Sequence, residues 1–429
     1  HYNVRAWEGR AYEHIRRRLL ERGFPVEGLG FDPALVMRGL VVDTELGNLL
    51  KVDRFGFVKA ALHGESLLPW QEARRTYART LVDLADPRYD FTNTLFSLSE
   101  ACMYTQLVPF LDRGELPVGM GYLELYRQVR LALNGTHVEG ELKAEILADP
   151  EAFVELDPEL PLALLDQKRA GKKLMVISNS DWLYARAMLD YAFDRFLPGE
   201  TTWRDLFDLV VVSARKPFFF SQKGPLFRVA TEEGLLEPLI GGPTGSGAYH
   251  GGHAELIESF LGVRGERILY VGDHVYTDVN VVKKLRRWRT ALVLRELERE
   301  LRAIEAERDD HARVEALMAD KTAIEHRANA ARLQLLRGDA DDAQAALDDC
   351  LARIRAIDDE IGPLLADDGR GFSRVWGFLL RAGNDKSHLL RQIERHADIY
   401  TSRVSNLFGY TPFAYFRATR GSVPHDPVR

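Results

Sequence analysis

The chain has 429 residues, 46% of them apolar and 28% charged, and a formal net charge of −7 at pH 7. That length exceeds what one compact core holds, so two or three lobes are expected of an otherwise ordinary globular composition. The acidic balance excludes a global basic field of the kind that draws proteins onto nucleic acid or anionic lipid. Positive charge for an anionic ligand therefore has to be supplied locally.

The only cysteines are Cys102 and Cys350, without a CxxC or Cys/His spacing. This argues against a disulfide framework or structural zinc and for a reducing, cytoplasmic compartment. No apolar run reaches the roughly 18–20 residues that span a bilayer. The polar start His1–Trp7 does not read as a signal peptide.

In chain order, residues 9–23 place Tyr12, Ile15, Leu19 and Leu20 at helical spacing. Residues 38–63 read as a hairpin turning at Gly47-Asn48. From about residue 68 to 155 the pattern is helical, broken near Asp86-Pro87 and Gly135. A helix through Leu162–Leu165 then opens an α/β stretch with four short apolar strands, at 174–177, 209–212, 268–271 and 290–294. Continuous apolar runs separated by helices indicate buried parallel strands. From Glu296 the chain is charged and helical, and the break at Arg337-Gly338-Asp339 implies an antiparallel helical hairpin. The apolar rhythm slips between 304 and 314, which argues against a long regular coiled coil. The aromatics Tyr400, Phe408, Tyr410, Phe413, Tyr415 and Phe416 are expected to pack.

Three strand ends carry polar residues in an informative order. Ser178-Asn179-Ser180-Asp181 follows the first, where a hydroxyl and backbone N–H groups suit a phosphate oxygen. Ser213-Ala214-Arg215-Lys216-Pro217 follows the second, and its Lys can neutralise a phosphoryl group. Gly272-Asp273-His274-Val275-Tyr276-Thr277-Asp278 follows the third, and its two carboxylates suit a hard cation such as Mg²⁺. Each alone reads as well as a turn, a solvated cation or a helix cap. The three in order make coincidence a poor explanation.

The order resembles motifs two to four of the haloacid-dehalogenase (HAD) phosphatases. More closely it is similar to the cytosolic purine 5'-nucleotidase family, of the IMP/GMP-preferring type. The resemblance runs through Arg38-Gly39-Leu40-Val41-Val42-Asp43-Thr44, Gly47–Asp53, Asn93-Thr94-Leu95-Phe96 and the three motifs. It ends at Tyr410-Thr411-Pro412-Phe413 and Pro424-His425. It implies a Rossmannoid α/β core with a parallel sheet, an inserted, mostly helical cap and a C-terminal helical extension. The corresponding division is 1–30 for the start of the core, 31–158 for hairpin and cap, 159–295 for the core and 296–429 for the extension.

The resemblance also implies hydrolysis of a purine nucleoside 5'-monophosphate through an aspartyl-phosphate, with Mg²⁺ offsetting charge. By position Asp273 looks like the metal ligand and Asp278 its supporting carboxylate. Ser178 and Lys216 look like phosphate holders, with Asn179 and Ser180 beside them. Phe96 falls where the family stacks on the base, Arg130 and His137 where it contacts a 6-oxopurine, and Lys143 near the phosphate. Asn134 stands where an Asp is usual, which weakens the purine assignment. A homo-oligomer, dimer or tetramer, and transfer of phosphate to another nucleoside are further implications.

The family's nucleophile segment, Asp-x-Asp-x-Thr, belongs a few residues before the equivalent of His1-Tyr2-Asn3, and nothing here replaces it. The nearest lookalike, Val41-Val42-Asp43-Thr44-Glu45, lacks the second carboxylate, so Asp43 reads as structural. The expectation is that the strand lies upstream. The rivals are a phosphatase for another small phosphomonoester and a catalytically dead nucleotide-binding scaffold.

Overall fold

The computed structural model describes residues 2–133, 136–338 and 342–416, without the side chains of residues 136–139 and 367. The first helix, Val4–Glu21, starts earlier than its apolar spacing indicates because Asn3 caps it, accepting a hydrogen bond from the Ala6 N–H at 3.3 Å. It buries Tyr12, Ile15 and Leu19 against the helices Leu98–Asp112 and Tyr122–Leu133.

The expected hairpin is part of a larger antiparallel sheet. Its strands are β1 (Val41–Asp43), β2 (Asn48–Val52), β3 (Val58–His63), β4 (Ser66–Leu67) and β5 (Tyr89–Phe91), in the order β4-β3-β2-β1-β5. Asp43 is fully buried on β1, where it accepts from Arg88 Nε and Nη2 at 2.8 and 2.7 Å and from the Tyr77 hydroxyl at 2.8 Å. With every lone pair engaged, it is a structural carboxylate.

The four apolar runs form strands, and they fall into two sheets. In the first, β6 (Met175–Ile177), β7 (Leu209–Val212) and β10 (Gly247–Gly251) are parallel. The antiparallel β8 (Leu226–Val229) and β9 (Leu236–Pro238) extend this sheet beyond β10. In the second, β11 (Leu269–Gly272), β12 (Arg289–Val293) and β15 (Ile399–Thr401) are parallel. A two-stranded ribbon of β13 (Arg381–Ala382) and β14 (Asp385–Lys386) precedes β15. The chain is thus a mixed α/β protein with parallel strands.

The two parallel sheets share one apolar core, in which Leu209, Val211 and Ile177 meet Ile268, Tyr270 and Trp288. Yet β6 and β11 are each the last strand of their sheet. Their composition is that of interior strands, but all of β6 is half-buried, and Leu269 and Val271 of β11 are 47% and 36% exposed. The neighbouring β7 is buried throughout.

The slip in the helical rhythm is a real break at Glu307, between Leu297–Ala306 and Arg308–Arg337. The latter helix pairs antiparallel with Ala343–Asp367, as the cross-links Arg313–Glu360, Lys321–Asp358 and His311–Asp368 require. The C-terminal aromatics do not pack as expected. Tyr410, Phe413 and Tyr415 are 56%, 81% and 80% exposed. Polar bonds hold the segment instead, among them Ser405 to Asp157 at 2.5 Å and Lys172 to the Pro412 carbonyl at 2.6 Å. Pro424-His425 lies outside the described residues.

Candidate active site

The carboxyl ends of β6, β7 and β11 gather the polar residues. Ser178 continues the β6 ladder, donating its N–H to the Val211 carbonyl at 2.8 Å, and its Oγ accepts from the Ser180 N–H at 3.1 Å. After β7 a tight turn with positive φ at Ser213 (48°) and Arg215 (57°) delivers Lys216, which is joined to Pro217 by a cis bond. Asn179 spans the two loops. Its Oδ1 accepts from the Lys216 N–H at 2.6 Å and its Nδ2 donates to the Lys216 carbonyl at 3.2 Å. Both ends of that amide are engaged, so Asn179 positions Lys216 in this structure.

Lys216 crosses to the other sheet. Its Nζ lies 3.0 Å from Asp278 Oδ1 and 3.1 Å from the Tyr270 hydroxyl. Asp278 sits in a π-helical turn, Val275–Asn280, only 3% exposed, and also accepts from the His274 N–H at 3.3 Å. Such turns are frequent at functional sites because the extra residue redirects side chains. Gly272 is obligatory there, since a Cβ at this position would come within 2.4 Å of the Asp278 Cβ.

Asp273 is crowded by protein yet stays open to solvent. Burial pushes its carboxyl pKa up, and the charge of Asp278 adds to this, against the opposing cations Arg38 and Lys216. Arg38, 1% exposed, donates to the Asp273 carbonyl at 3.0 Å and pairs with Glu296, Nε to Oε1 being 2.9 Å. It thus ties the β11 end to the chain leaving β12. With Lys216 paired to Asp278 and Arg38 to Glu296, the Asp273 carboxylate is the oxygen donor that fits a hard divalent ion.

Asp273 opens into a pocket of about 370 Å³ walled by Tyr2, Trp7, Phe96, Val271 and Val293. Phe96, 40% exposed, meets Trp7 edge-on at 5.3 Å. Glu8 lines the same pocket, 1% exposed, and burial raises its pKa to about 8.

Lys143 reaches the first motif loop, its Nζ 3.8 Å from Asp181 Oδ2 and over the Tyr184 ring. Arg130 is engaged elsewhere, with Asp90 at 2.6 Å and Glu100 at 3.5 Å, and does not line the pocket with Phe96. His137 lies on the helix Thr136–Ala148, but its side chain, and Asn134 altogether, lie outside the described residues. Arg38, Tyr270 and Trp7 were not singled out by sequence reasoning. Arg38 alone had a signal, its place in the Arg38–Thr44 stretch.

A family model described as the 5' nucleotidase family matches residues 1–428. The chain belongs to the 5' nucleotidase family. It is 25% identical over 422 residues to a 5'-nucleotidase domain-containing protein of Dictyostelium discoideum, covering 95% of this chain and 67% of that protein. Membership carries phosphoric monoester hydrolysis, of nucleoside monophosphates by class, and a divalent metal is usual in such enzymes. Among the described residues no helix is long and apolar enough to cross a membrane.

Proposed function

We propose that this 5' nucleotidase family member is a Mg²⁺-dependent nucleotidase on a HAD-like core, with residues 31–158 as its cap and 296–429 as its extension. The observation that carries the reading is the Lys216–Asp278 bond at 3.0 Å, which joins the ends of the two parallel half-sheets beside Ser178 and Asp273. Among the described residues β6 and β11 have no strand on their outer edges, which supports it further, because a parallel strand between them would make one continuous sheet. An upstream strand ending in Asp-x-Asp would then deliver its carboxylates among Ser178, Lys216 and Asp273.

In this reading Ser178 and Ser180 hold phosphate oxygens and Lys216 offsets charge as the aspartyl-phosphate forms and breaks. Asp273 would hold Mg²⁺ with Asp278 behind it, and the ion when bound would offset the charge of carboxylate and phosphate. Phe96 offers a face to the base and Lys143 a charge near the phosphate. A purine such as IMP or GMP is the proposed substrate, with phosphotransfer to a second nucleoside as an alternative fate. A cytoplasmic homo-oligomer completes the proposal, in keeping with two free, buried cysteines.

The engagement of Arg130 by Asp90 and Glu100 favours a second reading, in which the same core serves another small phosphomonoester. The test is phosphate release from IMP, GMP, AMP and a pyrimidine monophosphate, with and without Mg²⁺, by protein from the complete open reading frame. Mg²⁺-dependent release favouring IMP and GMP, abolished in Asp273→Asn, is the expected result. Release only from unrelated phosphomonoesters supports the second reading, and no release from any substrate overturns both.

A further inference from the structure

The foot of the helical hairpin holds a second group of metal-ligating side chains, remote in sequence from the phosphatase motifs. Glu307 ends one helix and opens the next, His311 follows one turn later on the same face, and Asp368 closes the returning helix. The i, i+4 spacing of Glu307 and His311 stacks two ligands on one helix face. One ligand atom from each of the three residues lies within 4.8 Å of the others.

We propose that Glu307, His311 and Asp368 bind a first-row transition ion such as Zn²⁺, which clamps the base of the hairpin. Metal–ligand bonds of about 2.0–2.1 Å in a tetrahedron separate ligand atoms by about 3.3 Å. Two of the observed separations bracket that value, His311 Nε2 lying 2.7 Å from Asp368 Oδ1 and 3.8 Å from Glu307 Oε2, and all three ligand atoms fall within 4.8 Å of one another.

The outer partners are already in place. Glu307 accepts backbone N–H bonds from Gly369 at 2.9 Å and Gly371 at 3.3 Å, which fix the carboxylate while leaving it further lone pairs. The triad also borders an open pocket of about 560 Å³. Its lining sets four carboxylates, Glu307, Asp310, Glu315 and Asp368, against the two arginines Arg370 and Arg381. That excess draws in a cation, and the open side admits water as the remaining ligand. The imidazole selects Zn²⁺, Co²⁺ or Ni²⁺ over Mg²⁺, which prefers oxygen alone.

The experiment titrates Co²⁺ into the full chain in excess Mg²⁺ and follows visible absorption, then displaces Co²⁺ with Zn²⁺. The expected result is one saturable equivalent, retained in Asp273→Asn. Binding should weaken by more than about tenfold in His311→Ala and in Asp368→Asn. Circular dichroism identifies which variant keeps its helix content, and the comparison rests on that one. Absorption that survives in both hairpin variants, that disappears in Asp273→Asn, or that never saturates overturns the proposal.

Discussion

The Lys216–Asp278 pair is the sharpest place to test the architecture, because it is a charged link between the ends of the two parallel sheets. Two unit charges 3.0 Å apart attract by about 5–6 kcal/mol at an effective dielectric of about 20. Desolvation takes back most of this, leaving a coupling of about 1.5–3 kcal/mol. The single changes are unequal. In Lys216→Met, Asp278 is left 3% exposed with the Tyr270 hydroxyl and the His274 N–H, each at 3.3 Å. A stranded buried charge of this kind costs about 3–5 kcal/mol. In Asp278→Asn, the lysine side chain is 17% exposed and can turn toward water, so the loss is about 1–3 kcal/mol. The double variant should lose less than the sum of the two. Urea unfolding followed by tryptophan fluorescence reads the cycle, since Trp288, 1% exposed, sits 6.1 Å from Tyr270 in the shared core. Losses that add to within about 0.5 kcal/mol would refute the coupling and with it the idea that this bond joins the sheets.

Other residues give independent tests. Arg38→Met leaves Glu296, 17% exposed, without its partner and frees the Asp273 carbonyl, so it should destabilise by about 1–3 kcal/mol and lower phosphate release, measured by unfolding and turnover together. Gly272→Ala pushes a Cβ to 2.4 Å from Asp278, so activity should fall at least tenfold while the far-ultraviolet spectrum is unchanged. Arg403, then Arg295, hold the Glu298 carboxyl down to about 2 from its ordinary 4.5. A folded value below the unfolded one gives stability that is complete above about pH 4.5 and lost as the pH falls toward 2, up to about 3 kcal/mol in all. Glu298→Gln should therefore be less stable than the parent at neutral pH, and the gap should narrow on acidification in paired urea titrations.

What could be read from the sequence follows local chemistry. Leu209–Val212 is an unbroken apolar run, and a run buried on both faces announces itself. Gly247–Gly251 carries Tyr249 as its one fully buried side chain, and Ile399–Thr401 is three residues long, so neither parallel strand has a pattern to find. The hairpin turn at Gly47 was legible, but β5 follows a helix and pairs with β1 across more than forty residues of chain. The strand-end positions of Ser178, Lys216 and Asp273 were legible as well. The tie from Arg38 to Glu296 was not, because it joins residues more than 250 positions apart and leaves no local trace. The aromatic tail misled because composition signals burial only when a face is available to cover it.

The pairing of β15 with β12 has a consequence for how the protein is made. Ala291 and Val293 find their parallel neighbours, Ile399 and Thr401, only after the whole helical hairpin has been synthesised. On a ribosome, β12 therefore waits with a naked edge for more than a hundred residues, at about 5–20 residues per second. That is several seconds in which a sticky strand is uncovered. The hairpin, whose two arms contact each other, can fold in that interval and bring the chain back to its starting point. It acts during biogenesis as a retractor that shortens the search of the last strand for its place.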